Sequence, residues 1–348
     1  MQTIRLDTYP QPAILSDGAE ILALNEKAQA LFPALEPGRP LPGELLCPEG
    51  EKHWEGCACL EGRMFRLCCQ REGEEFIYTF QPQEQAALSE GQLDGALYQL
   101  RALMSEFYRE MRPCVAGEQT QLSESDKADF AKSFDRMVRL MDHLDFLRDA
   151  QSSETELALR DVDLERFCSR VATECEGLLG EMGVRVEYTG LPETILVRGD
   201  ESRLRDALTE LISNCARRRS GGGVICLRLT RRGGRALLCV TDDGAPATSR
   251  QRLGMTARGA VPLIPMPDSG AGLGLSVAEK IVWLHGGTLL FSAGEGAPRV
   301  YLSLPLTKGK GGIPLHTPQP ERNAGRSPYV IALSDVLPSS VIREDWRE

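Results

Sequence analysis

At 348 residues the chain is long enough for two or three domains, and a 42% hydrophobic content is enough to build real cores. Its formal charge of −10, from 40 Lys and Arg against 50 Asp and Glu, argues against broad nucleic-acid binding. No apolar run approaches the roughly 20 residues that span a bilayer, and no secretory signal pattern stands near the start, so a cytoplasmic chain without a membrane span is expected.

In chain order, Ala13 to Leu15 and Ile21 to Leu24 flank the turn residues Asp17 and Gly18, and a helical stretch from Asn25 to Leu31 follows. Beyond it, "HWEGCACLEGRMFRLCCQREGEEFIYTFQP" alternates apolar and polar residues around the turns Glu61-Gly62 and Glu72-Gly73, predicting three antiparallel strands. The order strand, strand, helices, three strands resembles a PAS domain, a small sensor module, over residues 1–82. Cys47, Cys57, Cys59, Cys68 and Cys69 fall in this region. Their spacing lacks the paired C-x-x-C of most structural zinc sites, which favours small core or strand residues, with metal or redox sensing as the alternative.

Residues 83–153 change character. Leu93, Leu97, Leu100, Leu103, Met104, Phe107 and Met111 form one apolar stripe; Phe130, Phe134, Met137, Val138, Met141, Leu144 and Leu147 form another. Steps of three and four predict two amphipathic helices, separated at Pro113 and Gly117 and folded back on each other. Such a hairpin leaves an apolar face uncovered, so dimerisation as a four-helix bundle is expected. Residues 154–306 mix helical runs at 162–182 and 201–217 with strand-like "VRVEYTG", "TILVRG", "VICLRLTRR", "RALLCVTDD" and "GTLLFSAG". Residues 307–348, rich in proline and glycine, read as an irregular C-terminal tail with one apolar patch, "YVIALSDVL".

Three stretches of the 154–306 region carry chemistry. "LTELISNCARR" puts Asn214 on a helix one turn after Glu210; "LLCVTDDGAPA" ends a strand in an acidic turn; "SGAGLGLSVAEKIVWLHGG" opens a helix with Gly270, Gly272 and Gly274. A carboxylate at a strand end, Asp242, can accept from the exocyclic amine of adenine. The amide oxygen of Asn214 suits Mg2+, which prefers oxygen ligands and keeps waters beside nucleotide phosphates. Glycines opening a helix let backbone N–H groups approach phosphate at the positive end of the helix dipole.

In order and distance, these stretches resemble the N, G1 and G2 boxes of sensor histidine kinases, whose ATP-binding domain is the Bergerat α/β sandwich of the GHKL ATPase superfamily. The resemblance implies a multidomain α+β protein: PAS-like sensor, two-helix dimerisation hairpin, and a domain binding Mg-ATP. It implies nucleotide contacts from Asn214, Arg217, Asp242, Gly244, Gly270, Gly272, Leu273 and Gly274, Mg2+ at Asn214, and a water- or hydroxyl-polarising role for Glu210. It also implies a homodimer partnered by a response regulator or an intact histidine kinase in two-component signalling.

Two departures stand out. Where the family has its phosphoacceptor histidine on the first hairpin helix, this chain reads "YREMRPCV": Arg109 occupies the histidine position, and Pro113 arrives one residue early. A guanidinium cannot accept a phosphoryl group as a neutral imidazole does. His53, His285 and His316 lie elsewhere, and His143 is on the second helix. The G1 stretch reads D-D-G-A-P, with Pro246 where a second glycine is usual. Two function classes therefore stay open: a phosphotransferase with impaired histidine autophosphorylation, and a nucleotide-gated scaffold or regulator without catalysis. A protein kinase of the anti-sigma type shares the ATP fold but usually lacks the hairpin and sensor module.

Overall fold

A computed structural model describes residues 6–45, 52–61, 63–82, 90–115, 123–150, 156–218, 221–244, 273–292, 299–307 and 326–345. The N-terminal module consists of β1 (Ala13–Ser16), β2 (Ile21–Leu24), α1 (Glu26–Leu31), β3 (His53–Leu60), β4 (Arg63–Glu72) and β5 (Glu75–Pro82). Asn25 organises its start. The Oδ1 of Asn25 accepts from Ala28 N at 2.9 Å, capping α1, and from Ala13 N at 3.0 Å, while its Nδ2 donates to Gln11 O at 2.8 Å. Beneath α1, Phe32 stands edge-on to both Phe65 and Phe80, with centroids 5.0 Å apart in each pair.

Two 26-residue helices follow, α2 (Glu90–Val115) and α3 (Glu124–Asp149). Glu106 meets Arg136 and Glu110 meets Ser133, so the helices run antiparallel, and the rings of Phe107 and Phe130 pack 4.7 Å apart between them. Ser123 and Asp126 form a reciprocal capping box at the start of α3. Helix α2 continues two residues past Pro113, which therefore does not terminate it where the sequence places the break.

The rest of the chain supplies β6 (Arg160–Asp163), α4 (Leu164–Leu179), β7 (Val184–Thr189), β8 (Leu196–Gly199), α5 (Glu201–Arg217), β9 (Gly223–Arg232), β10 (Arg235–Asp242), α6 (Leu273–Leu284), β11 (Thr288–Ser292) and β12 (Arg299–Pro305). Helices α4, α5 and α6 pack on one side of the sheet β11-β12-β10-β9-β7, in which only the β7–β9 pair is parallel. Strands β6 and β8 form a separate two-stranded ribbon. His285, just past α6, is buried and fastens α6 to α5. Its Nδ1 lies 2.7 Å from Ile281 O, and its Nε2 accepts the N–H of Asp200, the residue capping α5, at 2.9 Å. Burial keeps this imidazole below its ordinary pKa, hence neutral at pH 7.

The tail is not irregular throughout. Residues 328–333 and 339–345 form α7 (Pro328–Leu333) and α8 (Ser339–Asp345), and Val330, Leu333, Leu337 and Ile342 join the core formed by the hairpin and the α4–α6 layer. Charge fixes their position on α3: Arg326 pairs with buried Asp135, and Ser339 Oγ donates to Asp129 at 2.6 Å.

The two sheets are one. Strand β3 pairs antiparallel with β11, giving a ten-stranded order β2-β1-β5-β4-β3-β11-β12-β10-β9-β7. The junction is tight: Trp54 of β3 stands edge-on to Tyr301 of β12 at 4.8 Å, and Gly56 lies so close to Leu289 and Leu290 that a Cβ would run into backbone. Gly56→Val therefore has to part β3 from β11, and a loss on the order of 2–3 kcal/mol is expected. Calorimetric melting should then resolve two transitions; a single unshifted transition would show that the junction contributes nothing to stability.

Candidate functional site

The site is assembled on α5. Glu210, Asn214 and Arg217 recur at four and three residues and so share one face of the helix. Around it stand the end of β10, the N-terminus of α6, and α3.

Asp242 is the last residue of β10, and its carboxylate is fully buried. Oδ1 accepts the N–H of Gly244 at 2.9 Å, closing an acidic turn, and Oδ2 is paired with the Arg218 guanidinium just past α5. The strand end thus holds a desolvated carboxylate. A guanidinium already occupies one oxygen, which the sequence does not show. Asn214 is half-buried, and its Nδ2 has no hydrogen-bond partner. An orphaned buried amide is costly, and a ligand oxygen would satisfy it.

Helix α6 begins at Leu273, so Leu273 and Gly274 belong to the helix rather than to the loop before it. The Leu273 side chain is in the core, which leaves its backbone N–H, in the first turn, as the group it can offer a ligand. Gly274 faces α5, where a Cβ would strike the Glu210 carboxylate. Its lack of a side chain serves this helix–helix approach directly. Gly270, Gly272 and Pro246 lie outside the described residues, as does Cys47.

Glu210 is 2% exposed and is gripped from α3. Arg139 donates a two-pronged fork, Nε to Oε1 at 3.0 Å and Nη2 to Oε2 at 2.7 Å, and His143 Nε2 lies 3.0 Å from Oε1. Burial alone would raise the Glu210 pKa, but Arg139 and His143 outweigh it and bring it down to about 2. In this arrangement Glu210 is an ion-pair partner and a poor proton acceptor. The expected water-polarising role needs α3 to withdraw.

Arg217 points elsewhere than a phosphate. Its Nη2 lies 2.9 Å from Asp335 Oδ2, between α7 and α8, and Arg139 and Arg136 engage the same carboxylate, Arg136 at 2.9 Å. Burial would raise the Asp335 carboxyl, yet Arg139, Arg217 and Arg136 hold it well below the usual carboxylate range. Arg109 is exposed on α2. Sequence reasoning missed Arg139 and Asp335, and read Arg218 only as part of a basic cluster with Arg217 and Arg219. The one signal available was the four-residue spacing of Arg139 and His143, which puts both on one face of α3.

Residues 199–308 match the family described as histidine kinase-, DNA gyrase B- and HSP90-like ATPase. Sensor protein IrlS of Burkholderia pseudomallei is 28% identical over 210 residues, covering 56% of this chain and 45% of that protein. Adaptive-response sensory kinase SasA of Parasynechococcus marenigrum is 30% identical over 165 residues, covering 45% and 42%. The chain therefore spans less than half the length of these relatives. Among solved structures, the Acinetobacter baumannii histidine kinase AdeS aligns at 18% identity with a TM-score of 0.49, over 61% of this chain and 98% of that one. The α5–β10–α6 unit is an ATPase domain of the histidine kinase type. Through that domain the chain is similar to sensor kinases such as IrlS and SasA over about half of its own length.

Removing Arg139 would strand a buried carboxylate. Arg139→Ala is expected to cost about 3–5 kcal/mol in denaturant unfolding, and Arg139→Ala combined with Glu210→Gln should recover a substantial part of that loss. Strictly additive losses would show that the two side chains are not coupled.

Proposed function

We propose that the chain is a cytoplasmic two-component-type signalling protein that binds Mg-ATP and lacks orthodox histidine autophosphorylation. The observation that carries the ATP reading is the buried Asp242 carboxylate at the end of β10, together with the Asn214 amide nitrogen on α5 that has no partner. Asp242 would accept from the adenine amine, and the backbone of Gly244 would border the base. Asn214 would hold Mg2+ through its amide oxygen, and the first turn of α6, from Leu273 and Gly274, would face phosphate together with Gly270 and Gly272. The ion would neutralise charge on the phosphates. Arg218 has to leave Asp242 for adenine to enter. Arg217 is a candidate for phosphate only if Asp335 releases it.

Arg109 supports the loss of autophosphorylation, since it stands where the resemblance puts the acceptor histidine. His143, gripped by Glu210, is poorly placed to replace it. The N-terminal module has the element order expected of a PAS-like sensor. A scaffold or regulator of an intact histidine kinase or response regulator fits the missing acceptor as well as a residual phosphotransferase does.

Calorimetry should show magnesium-dependent ATP binding. Asp242→Asn should weaken it by roughly 10- to 150-fold, the equivalent of about 1.5–3 kcal/mol for a charge-assisted hydrogen bond. Arg218→Met, which removes the competing guanidinium, should tighten it. Incubation with γ-labelled ATP should leave no acid-labile phosphohistidine. Absence of ATP binding would refute the reading, and a phosphohistidine at His143 or any other position would refute the loss of autophosphorylation.

Homodimerisation through the hairpin rests on the apolar surface that α2 leaves bare. Leu103 is buried within the chain and Leu100 is half-buried, so neither is free to form the seam. Leu93, Leu97 and Met104 are 45%, 42% and 58% exposed. Leu97→Glu with Met104→Glu is expected to convert a dimer to monomer by light scattering, with the helical circular dichroism of the chain kept. An unchanged dimer mass would exclude this face.

A further inference from the structure

Away from the ATPase site, three side chains of different donor chemistry converge on one face of the N-terminal sheet. His53 and Glu55 are two residues apart on β3, so strand alternation turns them the same way. The β3–β4 register sets Glu55 directly opposite Cys68. Neighbouring Cys69 points to the other face and is buried, whereas Cys68 is half-exposed. As a result, His53 Nε2 lies 3.0 Å from Glu55 Oε1 and 3.8 Å from Cys68 Sγ, and all three donor atoms fall within 4.8 Å of one another. No other group of this kind exists among the described residues.

The His53–Cys68 separation already matches a coordination shell, and the others lie close to it. A tetrahedral ion with bonds of about 2.0–2.3 Å keeps its ligand atoms roughly 3.3–3.8 Å apart. Small side-chain rotations would therefore close the three donors onto one ion without moving the strands. The His53 and Glu55 side chains are 26% and 27% exposed, which leaves an entry path. Beside them opens a cleft of about 280 Å3 lined by Gln11, Glu55, Arg66, Cys68 and Thr79, with room for a fourth ligand from solvent.

We propose that His53, Glu55 and Cys68 form a site for a borderline divalent transition metal of the zinc type, with the fourth position open to water or a small anion. The mixed nitrogen, oxygen and sulfur set argues for this class over Mg2+ or Ca2+, which take oxygen ligands. As the ion binds, the Cys68 thiol proton and the Nε2 proton that His53 shares with Glu55 leave to solvent and the Sγ–metal and Nε2–metal bonds form; no electron is transferred. Two of the three ligands stand on the strand that joins the two halves of the sheet, where Glu55 pairs with Phe291 and Trp54, between the ligands, pairs with Ser292 of β11. An ion there clamps β3 to β4 at the junction with the ATPase domain.

The test is titration of the reduced full chain with Co2+, free of other metals, followed by absorption. The expected result is saturation near one equivalent, with a thiolate-to-cobalt charge-transfer band in the near ultraviolet. That band should vanish in Cys68→Ser, binding should weaken on the order of tenfold or more in His53→Ala and Glu55→Gln, and Cys59→Ser should behave as the parent. Circular dichroism of each variant establishes that the fold is kept. No charge-transfer band in the parent, or a band that survives Cys68→Ser, overturns the site. ATP binding is a separate readout, so failure here leaves the nucleotide reading intact.

Discussion

The arrangement of the chain turns on a guanidinium with almost no access to water. Arg139 is 6% exposed and lies between two carboxylates, Glu210 on α5 and Asp335 between α7 and α8. A lone charge in that position would be prohibitive, and a single ion pair often does no better than offset its desolvation. Here each partner is satisfied several times over: Glu210 by Arg139 and His143, Asp335 by Arg136, Arg139 and Arg217. Because the pairing is tolerable only when every member is present, it specifies one position of α3 and of the C-terminal helices on the ATPase domain. It also couples them, since moving α3 exposes two carboxylates at once.

That coupling bears on the site. Glu210 sits one turn before Asn214, and the same α3 contact that neutralises it brings the hairpin against the helix carrying the proposed magnesium ligand. Asp242 is held in a comparable way by Arg218. The geometry described is therefore a closed one, in which the acidic groups suited to nucleotide chemistry are spent on internal cations. Any ligand that enters has to take the place of those cations.

The second organising feature is the β3–β11 junction. The sheet runs unbroken from the N-terminal module into the ATPase domain, with residues 54–58 of β3 paired to 288–292 of β11, the strand that follows α6. Strand β3 also packs directly against α6, the helix whose first turn faces the proposed phosphate position.

How much of this was legible in the sequence depends on range. The strands and helices flanking Asp242, Asn214 and Gly274, the hairpin helices and the N-terminal strand order all follow from local periodicity, capping residues and turn residues, which act over a few positions. Short or weakly patterned elements escaped: β6 has four residues, and α7 and α8 sit in a stretch whose proline and glycine content reads as irregular. Side-chain partnerships escaped for a different reason. Arg139 meets Glu210 from 71 residues away and Asp335 from 196, and Arg218 meets Asp242 from 24. Likewise His53, Glu55 and Cys68 converge only once the β3–β4 register is fixed. Thus the sequence by itself determined which segments become helix or strand and which residue types stand at the nucleotide boxes, because these depend on neighbours along the chain. Tertiary structure alone decided which charges neutralise one another and which face of each strand is shared, because Coulomb attraction and strand pairing act through space between residues that the sequence keeps far apart.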